Sequence, residues 1–166
     1  MRYVIALIFL IGYYVEVHIS TLNVGLEENA YERFTYACEN ASHDAALDVT
    51  PESIATGQPV FDETAATNTF DQDLAANMDL DPQTLKPLPN TMFQAPVTVL
   101  TEQFIDYSNT TFPYEYKDAA YGIDVTLEGP AIAYVVQAQI PSIQPGVTSF
   151  TKTWAVVQSY PGDSND

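Results

Sequence analysis

A chain of 166 residues has room for one compact domain with a single accessory element, not for two enzyme-sized lobes. Its 22 acidic residues against 5 basic ones give a formal net charge of −17. The five cations, Arg2, Arg33, Lys86, Lys117 and Lys152, are scattered along the chain. Nucleic acid is therefore excluded as a partner, because releasing its counterions takes a cluster of positive charge, and an anionic membrane surface is disfavoured on the same ground.

Residues 3–15 carry no charge and include Val4, Ile5, Ala6, Leu7, Ile8, Phe9, Leu10 and Ile11. Continued through Glu16, Val17, His18 and Ile19, the run reaches about 17 residues, which as a helix covers about 25 Å of a hydrocarbon layer about 30 Å thick. Arg2 and the α-amino group lie on one side of it and the acidic body on the other, which places the N-terminus in the cytoplasm and the body outside. Tyr13, Tyr14, Val15, Glu16 and Val17 offer no small-residue cleavage site, so the segment is expected to be retained. A helix apolar on every side leaves no solvated face for a small domain to expose. Residues 1–20 thus read as a transmembrane anchor, with Glu16 and His18 near its outer end.

The helical pattern does not stop there. Leu22, Leu26, Ala30, Phe34, Ala37, Ala41 and Ala45 recur every third or fourth residue, while Glu27, Glu28, Glu32, Glu39 and Asp44 take the other sides. The face is mostly alanine, so a neighbour can approach its backbone closely, whether the protein's own sheet or another copy. Pro51 is expected to end the element, which gives a helix over 21–50 continuing into the soluble part.

Residues 51–166 form the expected extracytoplasmic head. After turn-rich residues 50–59, Ala66, Phe70, Leu74 and Met78 predict a second short helix, with Asp62 as its N-cap and Asp79, Asp81 and Pro82 closing it. Residues 84–91, with Pro87 and Pro89, read as a linker. From Phe93 the period becomes alternating, and strands are expected at 96–106, 124–128 with an extension back to 116, 131–140 and 150–159. Gly129-Pro130, Pro141, Pro145-Gly146 and Pro161-Gly162 punctuate them. The fold class is α+β: a long N-terminal helix, membrane-spanning in its first half, packed through its alanine-rich half on an antiparallel sheet of about four strands.

Chemistry-bearing patterns are sparse. Cys38 is the single cysteine and reads as a packing residue within the apolar stripe. His18 and His43 assemble no catalytic set, the seven glycines form no phosphate-binding loop, and no catalytic, cofactor or metal residues are expected. Asp62-Glu63, Asp71 with Asp73, and Asp79 with Asp81 lack the spacing of a calcium loop and read as a solvated acidic surface. Asn40-Ala41-Ser42 and Asn109-Thr110-Thr111 match the glycosylation acceptor pattern, a frequent chance occurrence. Tyr107, Phe112, Tyr114, Tyr116 and Tyr121 cluster in sequence and could line a ligand surface, although half-solvated strand edges commonly carry tyrosine.

The apolar run at 3–15, the segment YACENASHDAAL at 36–47, FDQDLAANMDL at 70–80 and Glu128-Gly129-Pro130 together resemble type IV pilins and pseudopilins. Most narrowly they are similar to the TadE-like small anchored proteins of Tad-type pilus systems in Gram-positive bacteria. The glutamate of the run, Glu16, stands at its far end rather than near its start. The resemblance implies a non-enzymatic structural or assembly protein, a pseudopilin-like subunit or accessory of a surface filament or secretion system. Its expected partners are the membrane and further copies or other pilin-like subunits, met through Leu7, Leu10, Glu16, Ala30, Phe34, Ala37, Ala41 and Ala45. A membrane-anchored extracellular module that binds a ligand is the alternative expectation.

Overall fold

A computed structural model describes residues 2–143 and 149–163. Helix α1 spans Arg2–Ala45, α2 Pro51–Ala55 and α3 Glu63–Met78. The strands are β1 Thr98–Ile105, β2 Tyr114–Asp118, β3 Ile123–Leu127, β4 Ala131–Ile140 and β5 Phe150–Ser159. The chain is α+β, as its patterning predicts, although the strands divide differently from the expected single sheet. The Pro145-Gly146 turn lies outside the described residues.

Three strands form an antiparallel sheet in the order β1-β4-β5, and β2 and β3 form a separate two-stranded hairpin. The expected strand running back from 128 to 116 is really these two strands joined by a turn. Asp118 starts the turn: its Oδ1 accepts from Ala120 N at 3.0 Å and its carbonyl from Tyr121 N at 3.3 Å. Gly122 completes it at φ +72°, a conformation that side chains with a Cβ rarely adopt.

Strand β4 is central, and its alternation assigns one face to each side of the sheet. Ile132, Tyr134, Val136, Ala138 and Ile140 enter the main core with the helices. On the opposite face Ala131 meets Ile105, Leu127 and Val157 in a smaller cluster beneath the β2–β3 hairpin. Strand β1 is displaced by an irregularity between Val99 and Thr101. That extra residue brings Val99 and Phe104, five positions apart, onto the same helix-facing side, where both join Val97 in the main core.

Two helices cover the sheet, not α1 alone. Tyr31 of α1 lies under the Lys152 ammonium of β5, 5.4 Å from the ring centroid, so α1 sits over the β5 side. Helix α3 takes the β1 side: the Phe70 ring stacks on Tyr134 at 4.0 Å with 8° between planes, and Thr67 donates to Glu102 of β1 at 3.1 Å. Helix α1 packs on β4 and β5 as expected, and more extensively on α3, a partner the sequence pattern does not specify. Ala30, Ala37, Ala41 and Ala45 are fully buried, and a row of small side chains lets two helices approach closely. Arg33 ties the pair together by donating from Nε to the Asn77 carbonyl at 2.7 Å and pairing with Asp79 at 2.8 Å, a favourable place for a cation at the end of α3.

The connection between these helices also differs from expectation. Helix α1 stops at Ala45, where Leu47 N and Asp48 N donate back to the Asp44 and Ala45 carbonyls. Pro51 begins α2 instead of ending α1, using the first-turn position where its missing N–H costs nothing. Val49 and Phe61 then bridge, which closes the loop beneath α3, and the Asp62 side chain accepts from Ala65 N as the expected N-cap. Asp79 ends α3 in the left-handed conformation.

Replacing Phe70 by alanine removes the ring stacked on Tyr134 and should lower stability by about 3–5 kcal/mol, while Ala41→Leu should cost about 1–3 kcal/mol by forcing α1 and α3 apart. Urea unfolding of the detergent-solubilised chain, followed by the fluorescence of Trp154, measures both. Losses no larger than those of exposed substitutions would contradict this packing.

Candidate functional site

The most conspicuous feature is the first half of α1, an apolar rod that the other described residues leave exposed. Residues 3–18 are all exposed, including Phe9 at 74% and Leu10 at 65%. Among the described residues this is one helix long and apolar enough to cross a membrane, and its most apolar window has no residue buried within the protein. Counting from Tyr3 to Leu22, the exposed rod is 20 residues long, about 30 Å at helical rise, close to a hydrocarbon thickness. The anchor expected at 1–20 is therefore compatible with a single membrane pass.

The rod ends at Asn23, the first buried residue of α1, with 3% of its surface exposed. Its Oδ1 accepts from Ser142 Oγ at 3.0 Å and from Ile143 N at 2.7 Å, while its amide donates to Glu27 one turn on. These bonds pin the helix to the chain leaving β4.

The eight residues expected to mediate helix packing separate into two sets. Leu7, Leu10 and Glu16 are exposed on the rod. Ala30, Phe34, Ala37, Ala41 and Ala45 are each 0% exposed and are used up inside the head, so that part of the face is closed to another copy. Among the described residues Glu16 has no ion pair, and Tyr14 stacks on His18 at 6.0 Å.

The sequence gives little warning of an acidic patch around Tyr134, where α1, α3 and β1 converge. Tyr134 is fully buried, and its hydroxyl has no hydrogen-bond partner of ordinary geometry. Burial pushes the phenol far up, followed by the charge of Glu102, its cross-strand partner, so it stays protonated. Burial likewise holds Asp71 and Glu102 above the usual carboxylate range. Asp73 is raised by burial first and then by Asp44 near the end of α1 and Asp48 in the connection after it. Among the described residues no group of three acidic, histidine or cysteine side chains could hold a metal ion.

A second buried carboxylate was not singled out in the sequence. Asp106, 1% exposed, accepts from Phe61 N at 3.0 Å, Ser108 N at 2.8 Å and Ser108 Oγ at 2.6 Å. It locks the end of β1 to the start of α3. The Asp106-Tyr-Ser-Asn109 run is a turn signal that could have pointed to it.

The tyrosine cluster disperses. Tyr107 and Phe112 meet edge to face at 5.0 Å, and Phe112 and Tyr116 pack the hairpin onto the sheet, which leaves Tyr114 and Tyr121 partly exposed. A cavity of about 370 Å³ remains beside Tyr114 and Tyr116, lined also by Gln103, Asn109 and Thr110. The Asn109 amide there is already spent, donating to the Phe104 carbonyl and accepting from Asp106 N. The other acceptor pattern, at Asn40, lies within α1, with its Ser42 buried. Cys38 is buried as well, and burial pushes its thiol far above the ordinary range.

Comparison with protein families, with curated proteins and with solved structures gives no match. The likeness to pilins therefore rests on the sequence features alone.

The raised carboxylates fix the sign of the pH dependence. Asp71, Asp73 and Glu102 bind protons more tightly folded than unfolded, so their penalty at neutral pH is relieved as pH falls through their raised values toward about 4. Asp81, lowered chiefly by the Thr84 hydroxyl, has the opposite sign, but its contribution disappears only below about pH 4, outside this window. Melting temperature should therefore rise as pH is lowered from neutral to mildly acid, and Asp73→Asn should raise it at neutral pH and flatten the profile. A melting temperature that falls over the same range would contradict the assignment.

Proposed function

We propose that this chain is a non-enzymatic membrane-anchored structural or assembly protein, a pseudopilin-like subunit or accessory of a surface filament or secretion system. Its N-terminus lies in the cytoplasm and its head outside. The observation that carries the reading is the unbroken helix α1, whose exposed apolar half is joined rigidly to a half that belongs to the head's core. A flexible linker would suffice to tether a head, whereas a continuous helix fixes the head relative to whatever receives the rod.

Glu16 supports assembly over a passive tether. It lies six residues below Leu22, about 9 Å down the rod, where an unpaired carboxylate is costly in lipid and is relieved by a neighbouring helix. Leu7 and Leu10 would then exchange lipid for that neighbour through close side-chain packing. The wide separation of charge, with −17 formal units overall, keeps the heads soluble but mutually repelling, so the attraction between copies has to come from the rod.

The binding-module alternative finds support only in the cavity beside Tyr114 and Tyr116. Under that reading, Tyr114→Ala with Tyr116→Ala abolishes ligand capture and leaves assembly intact.

The lone native thiol, Cys38, is buried, so a cysteine introduced on the rod is the only one expected to react. Leu10→Cys should give disulfide-linked dimers in intact cells, and adding Glu16→Leu should reduce them severalfold. Deletion of residues 1–22 should leave a soluble monomer. Efficient assembly by the deleted chain, or a Leu10→Cys chain that never crosslinks to any partner, would contradict the proposal.

A further inference from the structure

Resting on the reading of residues 3–22 as a membrane span, we propose that the head itself touches the bilayer. Ile143, in the chain leaving β4, enters the interfacial layer beside Leu22 and Val24, and Phe150 stands just beyond that layer. The protein would then meet lipid through an apolar collar at the base of the head as well as through its helix.

The position of this collar is set by the hydrogen bonds of Asn23. Strand β4 runs toward the rod and ends at Ile140; Pro141 and Ser142 follow, and Ser142 Oγ and Ile143 N both reach Asn23 Oδ1. Asn23 is the next residue after Leu22, so a main-chain nitrogen only 2.7 Å from its side chain is held at the level where hydrocarbon gives way to headgroups. Polar and apolar groups are sorted there in an order unsuited to water. The amide of Asn23 is buried at 3%, while Ile143 is exposed at 52%, Leu22 at 53% and Val24 at 58%. Headgroups and interface add about 5–7 Å on each side of the hydrocarbon layer, enough to take in a side chain at this height. Phe150 pairs with Ile140, three residues before Ile143 and about 10 Å farther out, which places it just beyond the layer.

The charges fit the same boundary. The collar residues are uncharged, and beyond Asn23 the first acidic residue on α1 is Glu27, one turn on. Near this end Lys152 lies over the rings of Tyr31 and Phe150. The collar therefore meets lipid by apolar insertion. Its orienting effect follows from geometry: a rod alone lets the head rotate and tilt, while a second contact to one side of the rod sets which face looks along the membrane.

The test uses the full-length chain in phosphatidylcholine vesicles, with Trp154→Phe removing the native tryptophan. Three further chains carry Ile143→Trp, Leu10→Trp or Leu47→Trp, all at exposed positions; Leu47 lies just past the far end of α1, which is about 33 Å from Asn23, and reports the aqueous end. Vesicles are made with lipids brominated either close to the headgroup or deep in the acyl chain. The expected result is a blue-shifted Ile143→Trp emission quenched most by the shallow bromine, a Leu10→Trp emission quenched most by the deep one, and no quenching of Leu47→Trp. If Leu10→Trp is quenched and Ile143→Trp behaves like Leu47→Trp, the collar is wrong and the span stands. If neither is quenched, the span and the collar fall together.

Discussion

An apolar helix that its own domain leaves uncovered is the constraint on which this structure turns. Below Asn23 no side chain of α1 is buried, and above it Ala30, Phe34, Ala37, Cys38, Ala41 and Ala45 have no exposed surface at all. Removing apolar surface from water is worth about 25 cal/mol per Å², so an exposed rod of this length forces a search for cover. Lipid or neighbouring helices can supply it. The head cannot, because its own core is already filled by α3 and the sheet.

The way the head grips α1 explains how such a rod can be held without a flexible joint. Small side chains on α1 let α3 come close, and Arg33 ties α1 to the C-terminal end of α3. Phe70 on Tyr134 then seats the pair on the sheet. At the end next to the exposed rod, Asn23 fastens the helix to the chain leaving β4. The carboxylates gathered near Tyr134 work against this arrangement at neutral pH, since burial disfavours their charged forms. Apolar packing, not charge pairing, holds the head together, and a chain with 5 basic residues could hardly do otherwise.

Much of this was legible in the sequence because the signals were long and periodic. The rod, the alanine stripe, the Asp62 cap and strands β4 and β5 all follow from spacing over ten residues or more. The hairpin did not, because alternation continues from 114 to 127 straight through the turn, and only Asp118 and Gly122 mark the break. The end of α1 is ambiguous in the sequence because Pro51 can either stop a helix or begin one, and here it begins α2. The partner of the alanine face was unreadable for a physical reason: small residues signal that a backbone comes close, without saying whose. That ambiguity matters for the packing residues, since Leu7, Leu10 and Glu16 remain open while Ala30, Phe34, Ala37, Ala41 and Ala45 are consumed within the head. The joint at Asn23 leaves no local signal in the sequence, because it depends on a residue 119 positions away in the chain.

The central claim is that residues 3–22 find their cover outside the protein's own fold. Flotation of the full-length chain with lipid vesicles, followed by an alkaline high-salt wash, tests it most directly. The account predicts that the chain floats with the vesicles and stays with them after the wash. Recovery of the intact chain as a monodisperse monomer in the aqueous fraction, with no lipid or detergent, would contradict it.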